Sequence, residues 1–292
     1  MKSLDIILNP IAGGKRGKKS RRILDKVKSR LSERKIEYTL HQSEYKGHAT
    51  EITKTLIENG SKNIVVMGGD GTLHEVINGF SNFETVTLGI IPCGTGNDFV
   101  SALNIPLDPV KAVDLILDGK PYFTDFMQLP TVRGLNVVGV GIDVDVLVKY
   151  SKLKRKNKFG YTWCLIRTLL KFDYTEFTAE FNGESKECKS FIAAIANGNV
   201  YGGGIKICPP ANPTDKTLDF LTVKEIPKRK ILGALIKLLK GKIMTFQQTE
   251  HATCKKIVIK PKSSYVVNVD GELYPNIPFE VEIVSDKLKI YR

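Results

Sequence analysis

Ile64-Val65-Val66-Met67-Gly68-Gly69-Asp70-Gly71-Thr72-Leu73-His74-Glu75-Val76-Ile77-Asn78-Gly79-Phe80 contains the junction on which the fold turns. Four consecutive apolar, mostly β-branched residues predict a buried strand. Leu73, Val76, Ile77 and Phe80 then recur at i, i+3, i+4 and i+7, which predicts a helix with one apolar face. A strand that enters a helix through Gly68-Gly69-Asp70-Gly71-Thr72 is where an α/β sheet binds ligands. Glycines there let backbone N–H groups approach phosphate oxygens, and the helix N-terminus adds a favourable dipole. The Asp70 carboxylate would repel phosphate unless a cation lay between them, so Asp70 reads as an indirect magnesium partner or a water-orienting group. Taken alone, the same residues also fit a tight strand-to-helix turn with a capping Asp.

Two more turns have this character. Asn9-Pro10-Ile11-Ala12-Gly13-Gly14-Lys15 follows the strand predicted over Ile6, Ile7 and Leu8, and Pro92-Cys93-Gly94-Thr95-Gly96-Asn97-Asp98 follows Thr87 to Ile91. Neighbouring parallel strands place such turns at one sheet edge, so three glycine-rich loops would converge on one polyphosphate. The intervening periodicities agree: Ile23, Leu24, Val27 and Leu31 are helical, Ile36, Tyr38 and Leu40 alternate, and Ala49, Ile52 and Leu56 are helical again. Asp108 as N-cap, Pro109 in the first turn, Val110, Val113 and Leu117 on one face and Gly119 beyond the end mark a further helix.

After about residue 126 the texture changes to closely spaced strands. Phe177, Ala179 and Phe181 alternate into Asn182-Gly183, and Val267 and Val269 into Asp270-Gly271, both dipeptides suited to two-residue hairpin turns. Two basic amphipathic stretches interrupt them, Lys149 to Lys171 and Lys228 to Lys242, the second with Ile231, Leu235, Leu238 and Leu239 on one side.

Composition narrows the functional classes. At 292 residues, with 42% hydrophobic residues, the chain can fill two cores. It has no run approaching the roughly 20 apolar residues of a membrane span, and Asp5 and Pro10 interrupt any signal core, which predicts a cytoplasmic protein. Five widely spaced cysteines without a CxxC predict reduced thiols. His74-Glu75 opens like a zincin helix, but Asn78 stands where the second ligand belongs. The net charge of +13 admits nucleotide phosphates, nucleic acid and anionic membrane. The charge makes a basic nucleic-acid-binding module the non-enzymatic alternative, but no nucleic-acid motif or aromatic-rich basic sheet accompanies it.

NPIAGGK, GGDGTLHEVINGF and IPCGTGNDF, in this order and spacing, resemble the diacylglycerol kinase catalytic-domain family, in particular its bacterial lipid kinases. The resemblance continues through Thr124-Asp125-Phe126, residues 195 to 211, Asp215 and Val269-Asp270-Gly271-Glu272. It implies a doubly wound nucleotide-binding α/β domain, residues 1–126 with 277–292, and a β-sandwich lipid-substrate domain, residues 127–276. It further implies ATP held by Asn9, Pro10, Ala12 and Gly13, by Ser43, by Gly68, Gly69, Asp70, Gly71, Thr72, Leu73 and His74, and by Thr95. Asp70, Asp98 and Asp125 match the acidic positions that organise Mg2+ and water around the phosphates, and Glu272 matches the general base. Asp215 with Asn212 and Thr217 matches a structural Mg2+ site. From spacing alone, Glu272 is a solvated strand residue after a turn.

His74, His48 and Lys216 depart from the family pattern, which normally has Asn, an acidic residue and Gly there. The resemblance thus implies a lipid kinase, with diacylglycerol the expected acceptor and phosphatidic acid the product, and it admits a homodimer. An NAD kinase shares GGDGT, but GTGNDF argues against it. Lys152, Lys154, Arg155, Lys156 and Lys158, or the stretch from Lys228 to Lys242, would dock peripherally on anionic lipid at the inner face of the membrane, at about 1 kcal/mol per charge.

Overall fold

A computed structural model describes residues 3–14, 17–151, 153, 158–169 and 174–292. Lys15, Lys152, Lys154, Arg155 and Lys156, all singled out above, lie outside the described residues. The chain divides into two compact units, one made of residues up to Asp125 with Ser285–Arg292, the other of Phe126–Val284.

The first unit alternates strand and helix: β1 (Leu4–Leu8), α1 (Lys18–Glu33), β2 (Tyr38–Gln42), α2 (His48–Glu58), β3 (Asn63–Gly68), α3 (Asp70–Gly79), β4 (Thr87–Pro92), α4 (Asp98–Ala102), α5 (Pro109–Asp118) and the start of β5 (Pro121–Gln128). β1 to β4 run parallel in the order β2-β1-β3-β4. The interior strands are apolar through most of their length, as in residues 6–8 and 64–67, because helices cover both faces. Ile6, Leu8, Val65, Met67 and Ile91 pack against Val27 and Leu31 of α1 and Ala112, Val113 and Ile116 of α5. The alternate residues Ile7, Ile64, Val66, Leu88 and Ile90 are buried as well, on the opposite side by the twofold period of a strand. There α2 and α3 are joined by the Thr50 hydroxyl donating to Glu75 O, and by the Ala49 N–H donating to the Glu75 carboxylate.

Local signals behave as their chemistry requires. Asp108 accepts from the N–H groups of Val110 and Lys111, and Gly119 ends α5. The buried face of α5 is Pro109, Ala112, Val113 and Ile116, with Val110 and Leu117 at its flank, one position round from the face expected.

The second unit holds β6 (Arg133–Gly134), β7 (Val137–Gly141), α6 (Ile142–Ser151), α7 (Lys158–Leu169), β8 (Thr175–Phe181), β9 (Glu184–Ala196), β10 (Leu218–Lys224), α8 (Lys228–Leu239), β11 (Thr249–Cys254), β12 (Lys256–Pro261), β13 (Val266–Val269), β14 (Glu272–Pro275) and the start of β15 (Glu280–Tyr291). It is a β-sandwich-type domain of antiparallel strands ordered β14-β13-β7-β9-β8-β12-β15, with β10 and β11 branching from β9. Alternation on β9 serves two cores. Ala193 and Ile195 join Phe177, Ile257 and Val267, whereas Ala194 and Ala196 join Leu221, Val223 and the inner face of α8.

Asn182 (φ 52°) and Gly183 (φ 80°) form the two-residue loop between β8 and β9, and Asp270 (φ 54°) and Gly271 (φ 96°) the one between β13 and β14. Both loops need left-handed backbone at two successive positions, which Asn/Asp-Gly supplies at least cost. The division at 284/285 differs from the expected return at 277. Phe279 and Val281 are buried in the second unit's core, and Val281 pairs with Ile257 of β12. Beyond it, Lys289 and Ile290 of β15 lie parallel to Thr87 and Leu88 of β4.

The inner face of α8 is Ile231, Ala234, Leu235 and Leu238. Leu239, expected on that face, is instead 41% exposed and joins Leu232 (64%) and Ile236 (45%) on an outward apolar stripe. All five cysteines are free and buried. Among the described residues no helix is long and apolar enough to cross a membrane.

Candidate active site

The strand order reverses direction beside β1, so the loops after β1 and β3 leave neighbouring strands at the switch point. Hydrogen bonds tie these two loops and the loop after β4 into one unit. Asn9 donates its backbone N–H to Met67 O and its side-chain amide to Thr72 Oγ1 (3.0 Å). Cys93 and Gly94 both donate backbone N–H to Gly68 O, at 2.7 and 3.2 Å. Lys19 Nζ, on the first turn of α1, donates to Gly94 O at 2.6 Å.

Contact between the second and third loops is backbone on backbone. A Cβ at Gly69 would stand 2.8 Å from Gly94 Cα, and one at Gly94 2.6 Å from Gly69 Cα, so neither position admits a side chain. Gly71 and Thr95 remain exposed, while Thr72, Leu73 and His74 are buried. The first-turn N–H groups of α3, which a helix cannot pair internally, therefore open where a phosphate would need them.

Asp70 caps a helix, but not the one it begins. It makes no side-chain bond at the start of its own helix, whose N-cap is Gly69. Instead its carboxylate accepts from the N–H groups of Asn97 (2.8 Å), Asp98 (2.8 Å) and Phe99 (3.4 Å). It thus caps α4, whose own N-cap Asn97 sits in left-handed backbone and offers no side-chain bond. Burial, seconded by the charge of Asp98, pushes the Asp70 carboxyl up to about 6, against the lowering effect of the three N–H donors. A buried carboxylate with a second one beside it suits a cation nearby.

The other expected residues are placed as follows. Ser43 is buried at the end of β2, with its N–H and hydroxyl on Leu8 O, next to Asn9. Asp98 and Asp125 are buried, on α4 and β5. Leu73 lies in the core and its N–H donates to Gly69 O. His74 is buried on α3 beside Asn78, whose amide donates to His74 O at 2.8 Å.

Glu272 belongs to the second unit and opens β14 opposite Val269. Its neighbour Asp270 accepts from the N–H groups of Leu135 (2.6 Å), Asn136 (2.8 Å) and Val137 (3.0 Å). Asn212, Asp215 and Thr217 form an exposed loop closed on itself. Thr217 donates N–H and hydroxyl to Asp215 Oδ1, and Asn212 O accepts from Thr214 and Asp215. Lys216 there has φ 65°, a left-handed conformation that favours Gly.

Sequence reasoning missed a groove of about 700 Å3 beside the first loop, lined by Gly13, Gly14, Lys18, Lys19, Arg22 and Lys26 among others. The first turn of α1 holds no acidic residue, and its N-cap Gly17 gives no side-chain bond. Cations at a helix N-terminus oppose the dipole unless an anion sits among them. The run Lys18-Lys19-Ser20-Arg21-Arg22 directly after the glycines was the available signal.

Comparison with known proteins agrees with this geometry. Residues 3–129 match the diacylglycerol kinase catalytic domain, and residues 136–292 match the YegS C-terminal NAD kinase beta sandwich-like domain. The chain belongs to the diacylglycerol kinase catalytic-domain family. Membership places it among the lipid kinases, which are phosphotransferases. A diacylglycerol kinase of Bacillus subtilis (strain 168) is 27% identical, over 96% of this chain and 93% of the relative. One of Staphylococcus carnosus (strain TM300) is 25% identical, over 98% and 94%. A crystal structure of a diacylglycerol kinase from Bacillus anthracis str. Sterne shares the fold at TM-score 0.76 and 24% identity, covering 99% of this chain and 96% of that one. A second structure from that organism reaches TM-score 0.83 at 25% identity, covering 99% and 94%.

Proposed function

We propose that this lipid kinase transfers the γ-phosphate of Mg-ATP to the free hydroxyl of diacylglycerol, giving phosphatidic acid. The observation that carries the nucleotide part is the interlocked set of three glycine loops at the switch point, flanked by the cation-lined groove at α1. N–H groups of α3 and the side chains of Lys18, Lys19 and Arg22 would hold phosphate oxygens, and Asn9 fixes Thr72 against the first loop. When bound, Mg2+ supplies the charge neutralisation that phosphoryl transfer requires. Asp98 and Asp125 are the carboxylates for it, with Asp70 holding the Asp98 backbone in place. Glu272 accepts the proton of the lipid hydroxyl as that oxygen attacks phosphorus. Asp215, with Asn212 and Thr217 beside it in the 212–217 loop, would hold a structural Mg2+ that acts on the transfer only indirectly.

The reading also includes a peripheral station on anionic membrane. Between Glu225 and Glu250 the sequence carries six basic residues and no acidic one, and the outward stripe of α8 adds exposed apolar side chains. The decisive experiment is phosphorylation with labelled ATP of a total lipid extract, with NAD in a parallel tube. A labelled lipid that comigrates with phosphatidic acid supports the proposal; label in NADP alone overturns it.

A further inference from the structure

Three ligand-type side chains, none of them assigned a role above, meet in the second unit. The Cys208 sulfur, an Asp219 carboxylate oxygen and a His251 imidazole nitrogen all lie within 4.8 Å of one another. Cys208 comes from the loop before β10, Asp219 from β10 and His251 from β11. The antiparallel register pairs Leu221 with His251 and Asp219 with Thr253, so His251 and Asp219 are diagonal neighbours on one sheet face. His251 Nε2 stands 2.6 Å from Asp219 Oδ1.

The environment of Asp219 is short of positive charge. The residue is only 3% exposed, and among the described residues its ion-pair partner is His251. A second carboxylate, Asp215, adds negative charge. Carboxylates withdrawn from water are paired with cationic side chains or bind metal ions. The Cys208 sulfur beside this carboxylate is 0% exposed, and the His251 imidazole is solvent-reachable. The set is one thiol sulfur, one imidazole and one carboxylate, which matches a borderline-soft ion and not the hard, all-oxygen preference of Mg2+ or Ca2+.

We propose that Cys208, Asp219 and His251 bind one divalent transition-metal ion, with Zn2+ the best match to their chemistry. Three protein ligands leave a fourth position for water on the open side of His251. Binding displaces the Cys208 thiol proton to solvent and replaces the His251–Asp219 hydrogen bond by two metal bonds. The ion would fasten the long loop between β9 and β10 to the β10–β11 hairpin, as a structural clamp.

The test is titration of the metal-free, full-length protein with Co2+ and then Zn2+, followed by absorption. The expected result is one equivalent of tetrahedral Co2+ with a thiolate-to-metal charge-transfer band, displaced by Zn2+. His251→Ala, at a solvent-reachable position, should keep the fold by circular dichroism and weaken binding by about 10- to 100-fold. Cys208→Ser should abolish the charge-transfer band, and Cys188→Ser should leave it unchanged. Zn2+ should raise the Tm of the wild type and not that of His251→Ala. A missing band at stoichiometric Co2+, a band that survives Cys208→Ser, or binding unaffected by His251→Ala overturns the proposal.

Discussion

The Asp70 carboxylate accepts the backbone N–H of Asp98 at 2.8 Å, so the loop after β3 caps the helix that begins after β4. One acidic side chain thereby sets the position of another. Asp70→Ala would leave three N–H groups without their acceptor, which costs about 1–3 kcal/mol. The variant should lose lipid kinase activity and also shift its urea midpoint downward. Lost activity with an unchanged midpoint would show that Asp70 acts on the ligand alone.

The same carboxyl gives a pH dependence with a defined sign. Its folded value of about 6 exceeds its ordinary value of 3.8, so between those limits the native state binds more protons than the unfolded one. Stability from this group is therefore greatest below the ordinary value and declines as pH rises through about 6. Asp70→Asn, which cannot ionise, should flatten that decline. Urea unfolding from pH 4 to 7 for both proteins checks it, and parallel profiles would refute it.

Gly94→Ala tests the interlock of the loops. The added Cβ would lie 2.6 Å from Gly69 Cα and 2.7 Å from Asn97 Oδ1, both too close for any real contact. The second and third loops must separate, and a displacement near 1 Å at a phosphate cradle costs on the order of 10²-fold in kcat/KM. Gly233→Ala in α8, where a Cβ meets nothing within 4 Å, should instead stabilise the protein by about 0.5–1 kcal/mol. Steady-state kinetics and urea unfolding of the pair provide the measurement.

Adjacent acidic residues at the second hairpin should separate in their effects. Asp270 holds the N–H groups of Leu135, Asn136 and Val137, so Asp270→Ala should lower the Tm whatever it does to activity. Glu272→Gln should keep the Tm and cut kcat by about 10²-fold or more, as loss of a general base does. Near-normal turnover of Glu272→Gln would remove it from the reaction.

These residues also show where a sequence is readable. Asp108 caps amides two and three residues away, and Asn182-Gly183 and Asp270-Gly271 bend where they stand, so their chemistry is visible locally. The parallel strands β1, β3 and β4 were legible because burial on both faces leaves consecutive apolar residues, such as 6–8 and 64–67. The partners of Asp70 are 27 to 29 residues away, and those of Asp270 more than 130. No periodicity encodes such pairs. The outward stripe of α8 was hidden for another reason: Leu232, Ile236 and Leu239 look like core residues until the packing shows that Ile231, Ala234, Leu235 and Leu238 already fill that role.

That stripe yields the last prediction. Leu232, Ile236 and Leu239 sit at i, i+4 and i+7, exposed, and Met244 beyond the helix is 36% exposed. Arg229, Lys230, Lys240 and Lys242 are exposed around them. An apolar stripe bordered by cations suits the interface of an anionic bilayer, where charge attracts from within a Debye length of about 8 Å and the apolar groups then insert. Full burial of each large side chain contributes about 1.5–3 kcal/mol. The protein should therefore co-sediment with phosphatidylglycerol vesicles, bind phosphatidylcholine vesicles poorly, and weaken as salt is raised. Leu232→Ser with Ile236→Ser should reduce vesicle binding by about 10-fold or more at unchanged Tm, since neither side chain supports the core. The double variant should phosphorylate vesicle-borne lipid slowly and a short-chain, dispersed lipid at the normal rate. Undiminished vesicle binding would exclude α8 as the docking element, and a change from dimer to monomer would mark the stripe as a contact between two copies of the chain.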